Sequence, residues 1–331
     1  MVLILRVPCL ALILALCIAS VSVRCQEREL YAREGLVRLV RLNEAPLDVN
    51  SNRTPVVFWH GMGDTAKGSV SIDALALEKR YPGIQIYSIQ IGKTSVADEV
   101  ASYFSNLNQQ VQEACEAILA NDYIKKIGHL NGVGFSQGAQ FLRAVVQRCP
   151  LKRNGILFKN LISLGGQHQG VYGLPDCNSP TLCDYIRRLL TLGAYEKEVQ
   201  EHLVQAQYWH DPMNEKQYKE RNIFLADINN ERHVNQSYKL RLSRLDNFVL
   251  VKFEGDEMVV PPESSHFEFF VPNQKKDILP LEQSPIWLED RLGLPSLKET
   301  DRLKFISLPG NHLQYKMPWF LSEIGDRYLD N

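Results

Sequence analysis

Ser136 stands between two glycines in Gly134-Phe135-Ser136-Gln137-Gly138, the Gly-x-Ser-x-Gly form of a nucleophile elbow. In such an elbow a tight strand-to-helix turn pushes the hydroxyl into open space, and the glycines remove side chains that would clash. A hydroxyl is a weak nucleophile at neutral pH, so it needs a base and a third group that orients the base. Where this elbow is used, the chain order is serine, acid, histidine, with both partners in loops after strands. Asp256 follows the apolar run 248–253, and His312 follows the run 303–308. Asp227 and Asp246 are weaker rivals, the first in a helix-rich stretch and the second before its strand. Of the histidines after the acid, His266 and His312, only His312 directly follows a strand. Ser136, Asp256 and His312 are therefore the expected nucleophile, acid and base.

Acyl transfer places negative charge on the carbonyl oxygen, which calls for two fixed donors. The backbone N–H of Gln137 is one. The other is expected in His60-Gly61-Met62-Gly63-Asp64, after the first core strand, and the N–H of Met62 is the choice. His168, in Gly165-Gly166-Gln167-His168-Gln169-Gly170, follows another strand end and reads as a structural histidine near the site. Neither a His-Glu-x-x-His pair, nor paired Cys-x-x-Cys, nor a phosphate-binding glycine loop occurs, so no metal and no cofactor is expected.

These residues need a scaffold that brings strand ends together. Residues 55–59, 84–91, 127–133, 161–164, 248–253 and 303–308 read as strands. Val96, Val100, Tyr103, Phe104, Leu107, Val111, Cys115 and Ile118 mark one face of a single long helix, and 139–149 a second. A last helix is expected near 319–329. Such alternation predicts an α/β fold with a mostly parallel central sheet flanked by helices. Residues of about 174–247 are rich in helix formers and form an expected helical cap inserted between core strands. The final strands need the first half's sheet, so residues 25–331 read as one domain.

The N-terminus reads as a secretory signal peptide over 1–24, with Arg6 before a short apolar run and small residues after it. No transmembrane segment is expected. With a formal charge of -1 there is no basic surplus for nucleic acid. Cys115, Cys149, Cys177 and Cys183 remain beyond the signal. Four cysteines allow three connectivities; Cys177 and Cys183 are close enough to staple one loop, leaving Cys115 for Cys149. Asn235-Gln236-Ser237 is a glycosylation sequon, and Asn52-Arg53-Thr54 a weaker one because Pro55 follows.

With these residues assembled, the chain resembles the lysosomal palmitoyl-protein thioesterases. The resemblance rests on His60-Gly61-Met62-Gly63-Asp64, the elbow, Gln140-Phe141-Leu142-Arg143-Ala144-Val145, the Gly-Gly-Gln-His-Gln-Gly string and Tyr208-Trp209-His210-Asp211-Pro212. Phe224-Leu225-Ala226-Asp227-Ile228-Asn229 and the stretch from Gln283 to Gly293 match as well. It implies an α/β-hydrolase that removes long fatty acyl groups from S-acylated proteins, peptides and other acyl thioesters in the lysosome, reached through the secretory pathway. Sorting receptors that read N-glycans are the implied partners. Carried over, the same Ser136, Asp256 and His312 act, and the bridges fall on Cys115–Cys149 and Cys177–Cys183. Thr65-Ala66 replaces a vicinal cysteine pair the family can carry, and sequons expected near Asn222 and Gly255 are missing. The competing reading is a lipase or carboxylesterase acting on oxygen esters. An acyl groove is expected beneath the cap, with Leu189, Leu190, Val204, Trp209, Ile223, Phe224 and residues 267–270 as its available lining.

Overall fold

The computed structural model describes residues 37–48, 50–173 and 180–330. The expected signal peptide and Cys177 lie outside them. β2 (Val56–Trp59), β3 (Ile86–Ile91), β4 (His129–Phe135), β5 (Leu157–Leu164) and β6 (Asn247–Phe253) are near-continuous apolar runs because both of their faces are covered. They pair in parallel, and β9 (Leu303–Leu308) joins β6 in parallel at the edge. At the other edge β1 (Val37–Arg41) runs antiparallel to β3, so the seven-stranded order is β1-β3-β2-β4-β5-β6-β9. A two-stranded hairpin, β7 (Phe269–Phe270) with β8 (Ile278–Leu279), stands apart.

Helices fill both faces. On one, Leu107–Ala120 and Gln137–Arg148, the latter through Phe141, pack with the cap residues over Trp59 and Phe248. On the other, Val70–Arg80 and the π-helical segment Phe320–Leu329 cover Phe58, Val133, Ile162 and Val251. Cys115 and Cys149 are bonded, tying the two helices of the first face together. The described residues between β5 and β6 form helices, among them Pro180–Gly193, Lys197–His202, Glu215–Arg221 and Gln236–Leu242.

The expected single helix across Val96 to Ile118 is two helices, Ser95–Ala101 and Leu107–Ala120. Between them Asn106 starts a new helix, its side chain accepting from the N–H of Asn108 and Gln109. Phe104 pairs with Leu203 of the cap instead of continuing the first helix. Ile127 likewise ends a helix, Asp122–Ile127, before a left-handed Gly128, so β4 starts two residues later than expected.

Candidate active site

The chain leaves β4 at Phe135 and enters the helix Gln137–Arg148 at the next residue but one, so Ser136 must make the turn alone. It does so at φ 53°, a strained conformation for a residue with a Cβ. The turn is fixed by the Ser136 N–H donating to Leu164 of β5 at 2.8 Å. A side chain on Gly134 would run into the Ala139 backbone, and one on Gly138 into the Trp59 and His60 carbonyls. The two glycines of the motif are thus required by close backbone approach.

His312 and Asp256 arrive from the ends of β9 and β6. Nδ1 of His312 lies 2.6 Å from Oδ2 of Asp256. The other carboxylate oxygen accepts the N–H of Met258 and Val259 at 2.8 and 2.9 Å, so the buried carboxylate cannot turn away. The His312 ring packs on Gly165, where an added Cβ would stand 2.9 Å from Cε1. Gly165 directly follows Leu164, the residue that fixes Ser136, so the imidazole and the hydroxyl share one strand end. Among the described residues Nε2 of His312 has no hydrogen-bond partner. Ser136 Oγ instead accepts from Nε2 of Gln167 at 3.1 Å, whose Oε1 accepts from Gln140 at 3.2 Å. The rival acids stand elsewhere: Asp227 pairs with Arg148 at 2.7 Å, and Asp246 is exposed at the start of β6.

Met62 lines the same cleft as Ser136 and Gln167, with Val171, Gln205, Tyr208 and Met258. An added Cβ on Gly61 would stand 3.8 Å from Ser136 Oγ, which places this loop against the nucleophile. The Gln137 N–H is the first of its helix and has no partner within it. Both residues expected to supply oxyanion donors therefore border the serine. Behind them His60 is buried and bonded to Asp98 at 3.1 Å, and Asp98 also accepts from Ala66 and Ile91 at 2.7 Å. Burial lowers the His60 pKa, but Asp98 and the Gly61 carbonyl outweigh it and leave the pKa raised. The break after Ser95–Ala101 serves the same loop. Ser102 takes the Gly63 N–H on its hydroxyl at 2.8 Å, and its carbonyl accepts from Gln137 and Gln205, both at 3.1 Å. Tyr208 then donates to the Gln137 side chain at 3.0 Å, bolting the cap to the elbow.

Gln167, Ser102 and the His60–Asp98 pair were not singled out from sequence. For Gln167 the signal was available, one residue before His168 in a glycine-flanked string. His168 itself is fully buried, hydrogen-bonded to Ser163 at 2.8 Å and stacked on Phe267, away from the cleft. Burial, and then Arg143, pull its pKa well down, so it is a neutral structural histidine. The residues offered for an acyl groove are mostly core. Val204, Phe224 and Phe267 are fully buried, and Leu190 packs within the cap. The cleft has a cavity volume of about 20 Å³, room for about one water. Asn235 is exposed and caps the helix Gln236–Leu242, and Asn52 is exposed as well. Among the described residues no group of His, Cys, Asp or Glu could hold a metal ion, and no helix is long and apolar enough to cross a membrane.

The family model described as palmitoyl protein thioesterase matches residues 55–312, from the start of the first parallel strand to the histidine of the site. The chain belongs to the palmitoyl protein thioesterase family. Within this family it is 44% identical over 297 residues to palmitoyl-protein thioesterase 1 of Caenorhabditis elegans, covering 89% of this chain and 98% of the relative. Palmitoyl-protein thioesterase 3 of Dictyostelium discoideum is 34% identical, covering 84% and 91%. The lysosomal thioesterase PPT2 homolog of Drosophila melanogaster is 27% identical, covering 83% and 91%.

Proposed function

We propose that this chain is a serine thioesterase that hydrolyses long-chain acyl thioesters, palmitoyl above all, on cysteines of lipid-modified proteins. Three observations support the reading: Met62 and Ser136 line one cleft, Gln137 directly follows the serine, and His312, bonded to Asp256, packs on Gly165, next to the residue that fixes the Ser136 turn. Family membership and the names of the relatives supply the substrate class.

In this mechanism Ser136 Oγ leaves Gln167 for Nε2 of His312, which takes its proton as Oγ attacks the thioester carbonyl. Asp256 holds the imidazole by Nδ1 and stabilises the imidazolium. The N–H groups of Met62 and Gln137 receive the oxyanion. Carbon–sulfur cleavage releases a thiolate, a better leaving group than an alkoxide, so the demand on His312 as an acid is small; the proton it took from Ser136 passes to the departed sulfur and leaves the imidazole neutral. His312 then removes a proton from water, which attacks the acyl-enzyme and frees the fatty acid and Ser136. Export by the signal at 1–24, glycans on Asn235 and Asn52, a Cys177–Cys183 bridge and delivery to the lysosome belong to the same proposal. The lysosomal part is supported by the naming of relatives as lysosomal thioesterases.

Matched palmitoyl thioester and palmitoyl oxygen ester substrates test the reading. kcat/KM should favour the thioester and rise with acyl length from C4 toward C16. Peak activity on short oxygen esters would make the protein a carboxylesterase.

A further inference from the structure

At the end of β4 opposite Ser136, a groove with a cavity volume of about 600 Å³ lies between the start of β5, the turn Leu151–Asn154 and the helix Gln236–Leu242. Lys152, Arg153, Lys159, Arg241 and Arg244 line it, against the single carboxylate of Asp246. The whole chain has a formal charge of -1, so this concentration of cations is local. Arg241 donates to the Gln147 and Arg148 carbonyls at 2.9 and 2.6 Å. Lys152, Arg153, Lys159 and Arg244 have no ion-pair partner among the described residues. Burial, and then Arg153, pull the Arg241 pKa below its ordinary value, with Arg244 adding to the effect. Like charges crowded this way are relieved by an anion.

The groove is also apolar in a particular manner. Leu157 of β5 and Leu240 of the helix are 49% and 51% exposed, one from each side of it. A single-stranded nucleic acid would want exposed stacking aromatics, and the groove's phenylalanine, Phe158, is buried. Cations beside exposed leucines are the chemistry of a surface that meets lipid headgroups and the upper acyl region together.

We infer that this groove docks the protein onto an anionic lipid surface, its five cations toward the headgroups and Leu157 and Leu240 entering the acyl boundary. The seven residues of β4 separate it from Ser136 by roughly 20 Å, so docking leaves the catalytic cleft open. Asn235 begins the helix that ends at Leu242, about 10 Å along its axis, so a glycan there flanks the groove.

The test sediments the secreted protein with vesicles of phosphatidylcholine alone or mixed with phosphatidylglycerol. Binding is expected only to the mixed vesicles and should weaken steeply as salt rises. Arg153→Gln with Arg244→Gln should weaken it roughly thirtyfold, while hydrolysis of a soluble acyl thioester is unchanged. Leu157→Ser with Leu240→Ser should also weaken vesicle binding. Vesicle binding that ignores lipid charge, or that survives the arginine changes, overturns the inference. So does equally tight binding to heparin that ignores the leucine changes, which would make the groove a site for soluble polyanions.

Discussion

Tyr315 donates its hydroxyl to Oδ1 of Asp73 across 2.9 Å, fastening the segment that carries His312 to the helix Val70–Arg80. Two residues separate Tyr315 from His312, and both rings pack on Phe253. The contact thus joins a buried carboxylate on one layer to the base of the site.

That carboxylate gives the fold a pH dependence. Burial raises the Asp73 pKa from 3.8 to about 6, and the Tyr315 bond only partly offsets this. Between about pH 4 and pH 6 the unfolded chain releases this proton while the folded one keeps it. The group's contribution to stability is therefore full below pH 4 and lost as pH rises through about 6. A shift of about two units corresponds to roughly 3 kcal/mol. Asp73→Asn should remove this component. In guanidinium titrations at pH 4 and pH 7, the native protein should lose about 2–3 kcal/mol more than the variant. An identical loss in both would reject the assignment.

The proposed triad predicts a graded pattern. Ser136→Ala should abolish palmitoyl-thioester hydrolysis and labelling by a fluorophosphonate, with the thermal midpoint retained. His312→Ala should do nearly the same, because triad members act as a unit. Asp256→Asn should lower kcat by up to about four orders of magnitude, since the carboxylate fixes the tautomer of His312. Labelling of the Ser136→Ala protein at the native level would exclude this serine.

Gln167 yields a test that separates holding the serine from catalysing. Its side-chain amide occupies Ser136 Oγ while Nε2 of His312 has no partner among the described residues. Gln167→Ala removes that resting bond and the one Gln167 accepts from Gln140, neither of them to the substrate, so kcat should change by less than about tenfold. Gln167→Glu would set a carboxylate against Ser136 Oγ, where it repels the negative charge that builds up during attack, and kcat should fall by roughly a hundredfold or more. Equal effects of the two changes would show that the amide has a purely structural part.

Strand ends were the readable part of this chain. β4, β5, β6 and β9 announce themselves as apolar runs closed by polar or glycine loops, and fold topology sends Ser136, Asp256 and His312 to one pole. β1 was not legible: Val37 to Arg41 carries arginines at 38 and 41, off the two-residue period of a strand, and pairs antiparallel at an edge. The break at Ser102 was hidden for a different reason. Apolar spacing from Val96 to Ile118 continues through it, and the contacts of Ser102 with Gly63, Gln137 and Gln205 join residues distant in sequence. Which residues would line an acyl groove was hidden similarly. Phe224 and Phe267 are apolar and near the cap, but burial in the core and exposure to a cleft look alike in sequence.

The cleft itself should set acyl-length preference. Val171, Tyr208 and Met258 stand around Ser136, and the space between them holds about one water. A palmitoyl chain must therefore part these side chains, and each methylene buried there contributes about 0.8 kcal/mol. Val171→Trp or Met258→Trp would fill the passage while leaving Ser136, Asp256 and His312 in place. kcat/KM for a C16 thioester should fall at least about tenfold, with a C4 thioester changed by less than about threefold. Fluorophosphonate labelling with a small reagent should persist, which separates a blocked acyl path from a collapsed site. Proportional losses on C4 and C16 substrates would move the acyl path to another face of the cap.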